Sequence, residues 1–290
     1  MKVVLTRHEN PRSFLDAAGE MLYARETVNN LILGITEALI RDPQAYHTPF
    51  FATIENDQGE TLLAAVMTPP HPMILAGNHS VEHGASELIT YLNAAQVSLP
   101  GWIGPGEIAE RFAYIWQHHC KRLASIQTHQ RVYELRAVRL PPIPQGHFRL
   151  ARMEDTQTLA AWFQAFQAEA MGIRQDLDFP GFQNLIVDGD IYVWALDGKI
   201  VSMAMKKRPI AHSITISGVY TPQNVRCQGY ASALVARLSE HLLNAGYEFI
   251  NLFTDLANPT SNKIYKKIGF HPVSDFVTYK FSAPNAEKGR

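Results

Sequence analysis

The most constraining feature of this 290-residue chain is a junction between a predicted strand and a predicted helix at residues 219–238, VYTPQNVRCQGYASALVARL. A β-branched run ends in turn residues, and an apolar pattern of helical spacing begins after Gly229. A helix N-terminus presents N–H groups without intrahelical partners and carries partial positive charge. Arg226 adds a cation, Gly229 has no side chain to obstruct a ligand, and Ala231 is small. The junction therefore predicts an anion site that fits a pyrophosphate.

Other ligand motifs are excluded. No Lys-Ser or Lys-Thr follows Gly229, as a P-loop requires, and the Gly-x-Gly of the dinucleotide fingerprint is missing. The run His118-His119-Cys120 does not predict a metal site, because adjacent helical residues point in different directions. Cys120 and Cys227 form no CxxC pair, so we expect two ordinary thiols and no metal.

The second half of the chain alternates strand and helix patterns around this junction. The amphipathic helix that follows its first strand carries Leu159, Trp162 and Phe163 at helical spacing. The predicted order is strand, two helices, three antiparallel strands, helix, strand, helix, strand. The predicted bounds are His147–Ala151, Met153–Ala170, Pro180–Val187, Ile191–Leu196, Ile200–Lys207, His212–Thr221, Ala231–Ala245, Phe249–Thr254, Pro259–Ile268 and a closing strand through Phe276–Phe281.

A proline-rich break at residues 140–146, LPPIPQG, predicts a linker between two domains, 1–140 and 146–290. The break separates strand patterns at Val132–Arg139 and His147–Ala151. The first half contains helix patterns and one hairpin turned by Asn56-Asp57-Gln58-Gly59. These elements are predicted at Phe14–Tyr23, Glu26–Arg41, Phe50–Glu55, Glu60–Thr68, Ser86–Gln96 and Pro105–Arg122.

Two stretches resemble each other across the halves. Residues 57–77 and 196–218 share a glycine turn, an apolar strand, a proline-containing break and a second strand. The match predicts a duplicated fold with one copy altered, and two unrelated hairpins are the alternative.

Composition limits the classes of partner. The chain has 26 basic and 27 acidic residues, a balance that argues against nucleic acid or a membrane surface as partner. No apolar run has the length of a membrane span, and the four-residue apolar run near the N-terminus is too short for a signal peptide. We expect a cytoplasmic monomer or homodimer.

Two motifs together resemble the GNAT N-acetyltransferase superfamily. Arg226, Gly229 and Ala231 stand at the defining positions of its motif A, the loop that holds the pyrophosphate of acetyl-CoA. The segment NPTSNKIYKKIGF, residues 258–270, resembles its motif B. The resemblance covers residues 213–281 by motif and extends to His147 by strand order. It implies an α/β (α+β) fold, a mixed and mostly antiparallel splayed sheet flanked by helices.

The resemblance also implies site residues. The pantetheine arm would add to the edge of the splayed strand near Val219, whose amide would stabilise the oxyanion. Asn262 would bond that arm, and Tyr265 would protonate the departing thiolate. A core role for Tyr265 and a solvent-facing Asn262 are the alternatives. The implied cofactor-binding set is Val219, Tyr220, Thr221, Arg226, Cys227, Gln228, Gly229, Tyr230, Ala231, Ser232, Asn258, Asn262 and Tyr265.

The general base is left open among Glu169, His212 and Asp255, each of which has an ordinary polar role as its alternative. The predicted function is transfer of an acetyl group from acetyl-CoA to a primary amine, on a small molecule or a protein, in a ternary complex. A CoA-binding module without catalysis and an acyltransferase that uses a longer acyl-CoA are the alternatives. The glycine-rich segment Gly101–Glu107 lacks an arginine, so the first half is expected to bind no CoA and to serve as a packing partner and a wall of the acceptor groove.

Overall fold

The computed structural model describes residues 2–78, 80–120, 122–172 and 177–281, and these fall into two compact units. The first unit runs to Val132 and takes in the chain again from Val273, and the second comprises Tyr133–Pro272. Lys121, within the predicted helix Pro105–Arg122, lies outside the described residues.

The first copy of the fold begins with a strand and two helices. The second of these helices buries Ile32, Leu33 and Leu39 along one side, as the apolar spacing of its sequence requires. The elements are β1 Val3–His8, α1 Pro11–Tyr23, α2 Glu26–Arg41, β2 Phe50–Asn56, β3 Thr61–Met67, β4 Met73–Gly77, α3 Val81–Ala94, β5 Gly101–Pro105, α4 Gly106–Cys120 and β6 Ala124–Leu135.

The second copy repeats this order, which confirms the predicted duplication. The similar stretches 57–77 and 196–218 supply the third and fourth strands of their copies. Short 3-10 turns at Met153–Asp155 and Gln223–Val225 precede two of the helices. The elements are β7 His147–Leu150, α5 Thr156–Met171, α6 Phe179–Val187, β8 Ile191–Leu196, β9 Lys199–Lys207, β10 Ser213–Tyr220, α7 Tyr230–Asn244, β11 Phe249–Asp255, α8 Pro259–Ile268 and β12 His271–Phe281.

Each unit contains a mixed, mostly antiparallel sheet, as predicted. The order in the first unit is β1-β2-β3-β4-β5-β12, with β4 and β5 parallel. The order in the second is β7-β8-β9-β10-β11-β6, with β10 and β11 parallel. Strand β12 thus belongs to the first unit from Val273 on, where Phe276–Lys280 pairs with Gly101–Pro105. Strand β6, the last of the first copy, enters the second unit at Tyr133.

These boundaries differ from the predicted 1–140 and 146–290. The proline-rich segment lies with the second unit, because the Arg139 amide donates to the Ile268 carbonyl at 2.7 Å and the Trp194 indole donates to the Gln145 carbonyl at 2.9 Å. Pairing of β12 with β5 places the chain from Val273 in the first unit. The proline-rich segment therefore connects two strands of the second unit.

Two expectations for the first half are wrong. The strand predicted at Val132–Arg139 is Ala124–Leu135. The segment Gly101–Glu107, expected as a glycine-rich loop, forms β5 and the start of α4. Glycine is needed there because a Cβ at Gly101 would collide with the carbonyl oxygen of Tyr279, in the neighbouring strand.

Helices cover both faces of the sheet in the second unit. Helix α7 buries Leu234, Leu238 and Leu242 against the sheet. Helix α5 packs Leu159 against a second group of buried side chains, which includes Met203. This packing fixes the end of β10 and the start of α7, between which the predicted anion loop lies.

Candidate functional site

Strands β10 and β11 diverge, as the resemblance implies. Their parallel register covers only residues 213–215 of β10 against 249–251 of β11, although both strands continue further. Hydrogen bonds between buried side chains join the two strands where they are paired. The Thr215 hydroxyl donates to Asn251 Oδ1 at 2.6 Å, and Asn251 Nδ2 donates to Ser213 Oγ at 3.1 Å. Beyond these hydrogen bonds the two strands are no longer paired, so a gap opens toward their carboxyl ends.

A β-bulge lies on the open part of β10. Ser217 pairs with Met205 and Tyr220 pairs with Met203, so β10 has one residue more than β9 between these pairs. Gly218 accommodates the bulge with a φ of +60°, and a Cβ there would approach the Met205 sulfur at 3.0 Å. The bulge changes the direction of the backbone N–H and C=O groups at Gly218 and Val219, beside the gap.

The loop after β10 leads into an N-terminus of α7 that no side chain caps among the described residues. Gly229 occupies the N-cap position with a φ of +85°, and Cys227 has a φ of +65°. By contrast, the side chain of Asn258 caps α8 by accepting from the Ser261 amide at 3.0 Å. The first amides of α7 therefore keep the donor capacity that an anion uses.

Arg226 makes two hydrogen bonds at this loop, and its guanidinium lies over the Tyr220 ring. Its Nε donates to the Thr221 carbonyl at 2.8 Å, and its terminal nitrogen pairs with the Glu169 carboxylate of α5 at 2.7 Å. The Tyr220 hydroxyl also donates to Glu169, at 3.4 Å. Burial and the nearby Glu169 charge raise the pKa of Tyr220. The structure thus brings three of the predicted residues, Glu169, Tyr220 and Arg226, into one cluster at the carboxyl end of β10.

Asn262 ties α8 to the end of β11. Its amide nitrogen donates to the carbonyls of Asp255 at 2.9 Å and Asn258 at 2.7 Å. Its oxygen accepts from the Tyr133 hydroxyl at 3.0 Å. These bonds give Asn262 a structural role next to the gap.

Tyr265 lies on the same side of α8 as Asn262, three residues further along the helix. Its side chain is 8% exposed and packs beside the rings of Tyr133 and Phe270. Burial raises the pKa of Tyr265 to about 12. The phenol therefore stays protonated at neutral pH, as a proton donor requires.

The remaining base candidates lie before the start of β10 and at the end of β11. His212 precedes the first residue of β10, about 23 Å along the strand from Val219 at the usual rise of about 3.3 Å per residue. The Asp255 carboxylate accepts from the Ala257 amide at 2.8 Å in the turn before α8. Of the three candidates, Glu169 is the one beside Arg226 and Tyr220.

The first unit presents different chemistry at the equivalent position. Helix α3 begins four residues after β4 ends, whereas α7 begins ten residues after β10 ends. A cavity of about 400 Å³ beside α3 and α4 is lined by Glu82, Glu107 and Glu110. Arg111, which also lines it, pairs with Glu82. Carboxylates at this position oppose the binding of a pyrophosphate.

The described ranges contain no group of three or more His, Cys, Asp or Glu side chains that could hold a metal ion. Within them, no helix has both the length and the apolar character needed to cross a membrane. Cys120 is half-buried and Cys227 is exposed, and neither forms a disulfide.

Comparison with known proteins identifies the region that contains this cluster. Residues 154–270 match the model of the acetyltransferase (GNAT) family. The gap, the loop and α8 all lie within that range, and this part of the chain belongs to the GNAT family.

A relative of known name matches a shorter segment. It is the aminoglycoside N(6')-acetyltransferase type 1 of Serratia marcescens, 31% identical over 65 residues. The segment covers 22% of this chain and 44% of that protein, so the match spans less than half the length of the relative.

Solved structures resemble nearly the whole chain. A GCN5-related N-acetyltransferase from Sphaerobacter thermophilus, 14% identical, has a TM-score of 0.63 and covers 96% of this chain and 94% of its own. A GNAT-family acetyltransferase from Colwellia psychrerythraea, 13% identical, has a TM-score of 0.59 and covers 96% and 100%. A tandem GNAT protein from the clavulanic acid biosynthesis pathway, 11% identical, has a TM-score of 0.58 and covers 98% and 100%. Likeness at these identities shows the fold, and the first half shares it.

Proposed function

We propose that the second unit transfers an acetyl group from acetyl-CoA to a primary amine by direct attack in a ternary complex. The observation that carries the proposal is the open gap between β10 and β11, bordered by a bulge and continued by the uncapped N-terminus of α7. The residues of this arrangement fit CoA. An open strand edge suits an extended pantetheine arm, and Arg226 with the α7 amides suits a pyrophosphate.

The backbone and side chains have separate roles in this reaction. The Val219 amide, at the bulge, would donate to the thioester oxygen as it becomes negatively charged. Glu169 would take a proton from the attacking amine, directly or through water. The amine nitrogen bonds to the thioester carbon, the carbon–sulfur bond breaks, and Tyr265 would protonate the thiolate. Asn262 and Asn258 would hold α8 beside the pantetheine arm.

The acceptor is proposed by chemical class. The named relative acts on an aminoglycoside according to its name, so aminoglycosides are the first amines to test. Polyamines, amino acids and a lysine-containing peptide complete the panel. The first unit is proposed to bind no CoA, because its short connection and its glutamates disfavour a pyrophosphate. A cytoplasmic location and a monomeric or homodimeric state remain predictions.

Two measurements test the proposal. Acetyl-CoA binding is measured by calorimetry for the wild type and for Arg226→Glu, with Arg237→Glu as matched control because Arg237 is an exposed, glutamate-paired arginine on α7. Binding should be lost in the first variant and kept in the second, and equal affinities would overturn the assignment of the loop. CoA release is then measured with acetyl-CoA and longer acyl-CoAs against the amine panel. Binding without turnover for any amine would indicate a CoA-binding module, and turnover only of longer donors would correct the acyl group.

A further inference from the structure

The arginine proposed to bind pyrophosphate already holds an anion. Arg226 pairs with Glu169 at 2.7 Å, and its Nε is committed to the Thr221 carbonyl. The Glu169 carboxylate comes from α5, 57 residues earlier in the chain. A pyrophosphate that approaches Arg226 therefore meets both a guanidinium with a carboxylate partner and the negative charge of that carboxylate.

The ion pair between Arg226 and Glu169 is weak enough for a stronger anion to replace Glu169. The Arg226 and Glu169 side chains are 40% and 41% exposed, and an ion pair at such exposure is weak because water screens it. A pyrophosphate offers more negative charge and additional bonds to the α7 amides, so it outcompetes a single carboxylate. On release, Glu169 still has the Tyr220 hydroxyl within hydrogen-bonding reach.

We propose that Glu169 is a displaceable internal anion that occupies Arg226 in the unliganded protein and is replaced there by the pyrophosphate of the CoA substrate. The proposal rests on the proposed function. Its consequence is an order of events: the carboxylate proposed as the base becomes available to the amine only after the CoA substrate is bound. Glu169 is then a positioning residue for Arg226 in one state and a catalytic residue in the other.

The test compares two matched carboxylate removals. Glu169→Gln removes the charge that competes with the pyrophosphate. The control, Glu240→Gln, removes a glutamate on α7 that pairs with Arg237; the Glu240 side chain is 38% exposed and that of Arg237 is 37% exposed. We expect CoA to bind Glu169→Gln about 1.5- to 5-fold more tightly than the wild type, the range expected for an exposed ion pair. Glu240→Gln should bind CoA like the wild type. The gain should shrink in high salt, which screens exposed charges.

A double variant assigns the effect to Arg226. In an Arg226→Gln background, Glu169→Gln should change CoA affinity far less than in the wild type, because the arginine for which the two anions compete is gone. Glu169→Ala repeats the measurement with a second side chain, in case the amide of glutamine makes a bond of its own. In turnover, Glu169→Gln should lower kcat while it tightens CoA binding, and a residue that only supports the loop would not produce these opposite changes.

Each outcome is decisive. Weaker CoA binding in Glu169→Gln would show that the pair supports the loop, and unchanged binding would show that no competition occurs; either result overturns the inference. The proposed function fails separately, if wild-type protein does not bind CoA or if Arg226→Glu binds it normally. A tighter Kd with unchanged kcat would retain the competition and reject Glu169 as the base.

Discussion

The hydroxyl of Tyr133 in β6 donates to Oδ1 of Asn262 in α8 at 3.0 Å. Tyr133 is fully buried, so its hydroxyl cannot turn to water if this acceptor is removed. The same Asn262 side chain bonds the carbonyl of Asp255 at the end of β11. One amide therefore connects two strands and a helix at the open end of the gap.

Asn262→Ala should lower the free energy of unfolding by about 1–3 kcal/mol, because it leaves the Tyr133 hydroxyl without an acceptor. Chemical denaturation of the variant and of Asn244→Ala, an exposed asparagine at the end of α7, provides the measurement. Equal stability of the two variants would mean that Asn262 serves the ligand alone.

Tyr265→Phe should reduce kcat by about 100-fold or more while the Kd for acetyl-CoA changes little, because general acid catalysis contributes a factor of that size. Tyr192→Phe, which removes a hydroxyl bonded to His241 elsewhere in the second unit, is the control. A normal kcat in Tyr265→Phe would return Tyr265 to a purely structural role.

The raised pKa of Tyr265 predicts a loss of stability at alkaline pH. The phenol has a pKa of about 12 in the folded protein and about 10 in the unfolded chain. Between these values the unfolded chain binds fewer protons, so the free energy of unfolding should fall by about 1.4 kcal/mol per pH unit from this group. The stabilisation is complete below pH 10.

Denaturation of wild type and Tyr265→Phe across pH 9–11.5 isolates this contribution, since the other tyrosines are common to both proteins. The difference in stability should be constant below about pH 10 and should move in favour of the phenylalanine variant above it. Parallel curves would contradict the buried environment of Tyr265.

Gly218→Ala should impair catalysis beyond its effect on stability. Gly218 and Gly198 both have positive φ angles, +60° and +76°, so alanine is strained at either by about 1–2 kcal/mol. A Cβ at Gly198 meets open space, whereas one at Gly218 presses on Met205 and disturbs the bulge. Comparing kcat and denaturation for the two variants separates the shared strain from the effect on the bulge. Equal kcat values would reject the bulge as part of the reaction site.

Much of the fold follows from local patterns. The bounds of α2 and α8 match the predicted Glu26–Arg41 and Pro259–Ile268, because apolar spacing and a capping Asn258 mark their ends. Strand β6 could not be placed in the same way. Its first residues, ASIQTHQ, are largely polar, and they form a strand through pairing that no local pattern encodes. Gly101 of β5 is likewise explained only by the backbone of β12, some 175 residues later, and Gly104 by the backbone of Leu75 in β4.

Part of the candidate site could likewise be predicted from the sequence, and part could not. The helix terminus could be predicted, because it is a continuous motif of sequence with its own physical signature. The gap was expected only from the resemblance to the GNAT superfamily. The pairing of Glu169 with Arg226 joins residues from separate elements, and only the packing of α5 on the sheet brings them together. The aromatic pattern of α5, of which Trp162 packs beside Tyr220, was the available signal that this helix borders β10. No pattern indicated which polar side chain of α5 would reach the loop.

The assignment of β12 to the first unit sets the timing of folding during synthesis. Strand β5 emerges from the ribosome long before residues 276–280, its partners, have been made. Until then the first unit carries an unpaired sheet edge, the type of surface that recruits other strands. A chain that stops short of residue 273 should therefore leave β5 without its partner strand, and the first unit cannot be completed until residues 276–280 have been made.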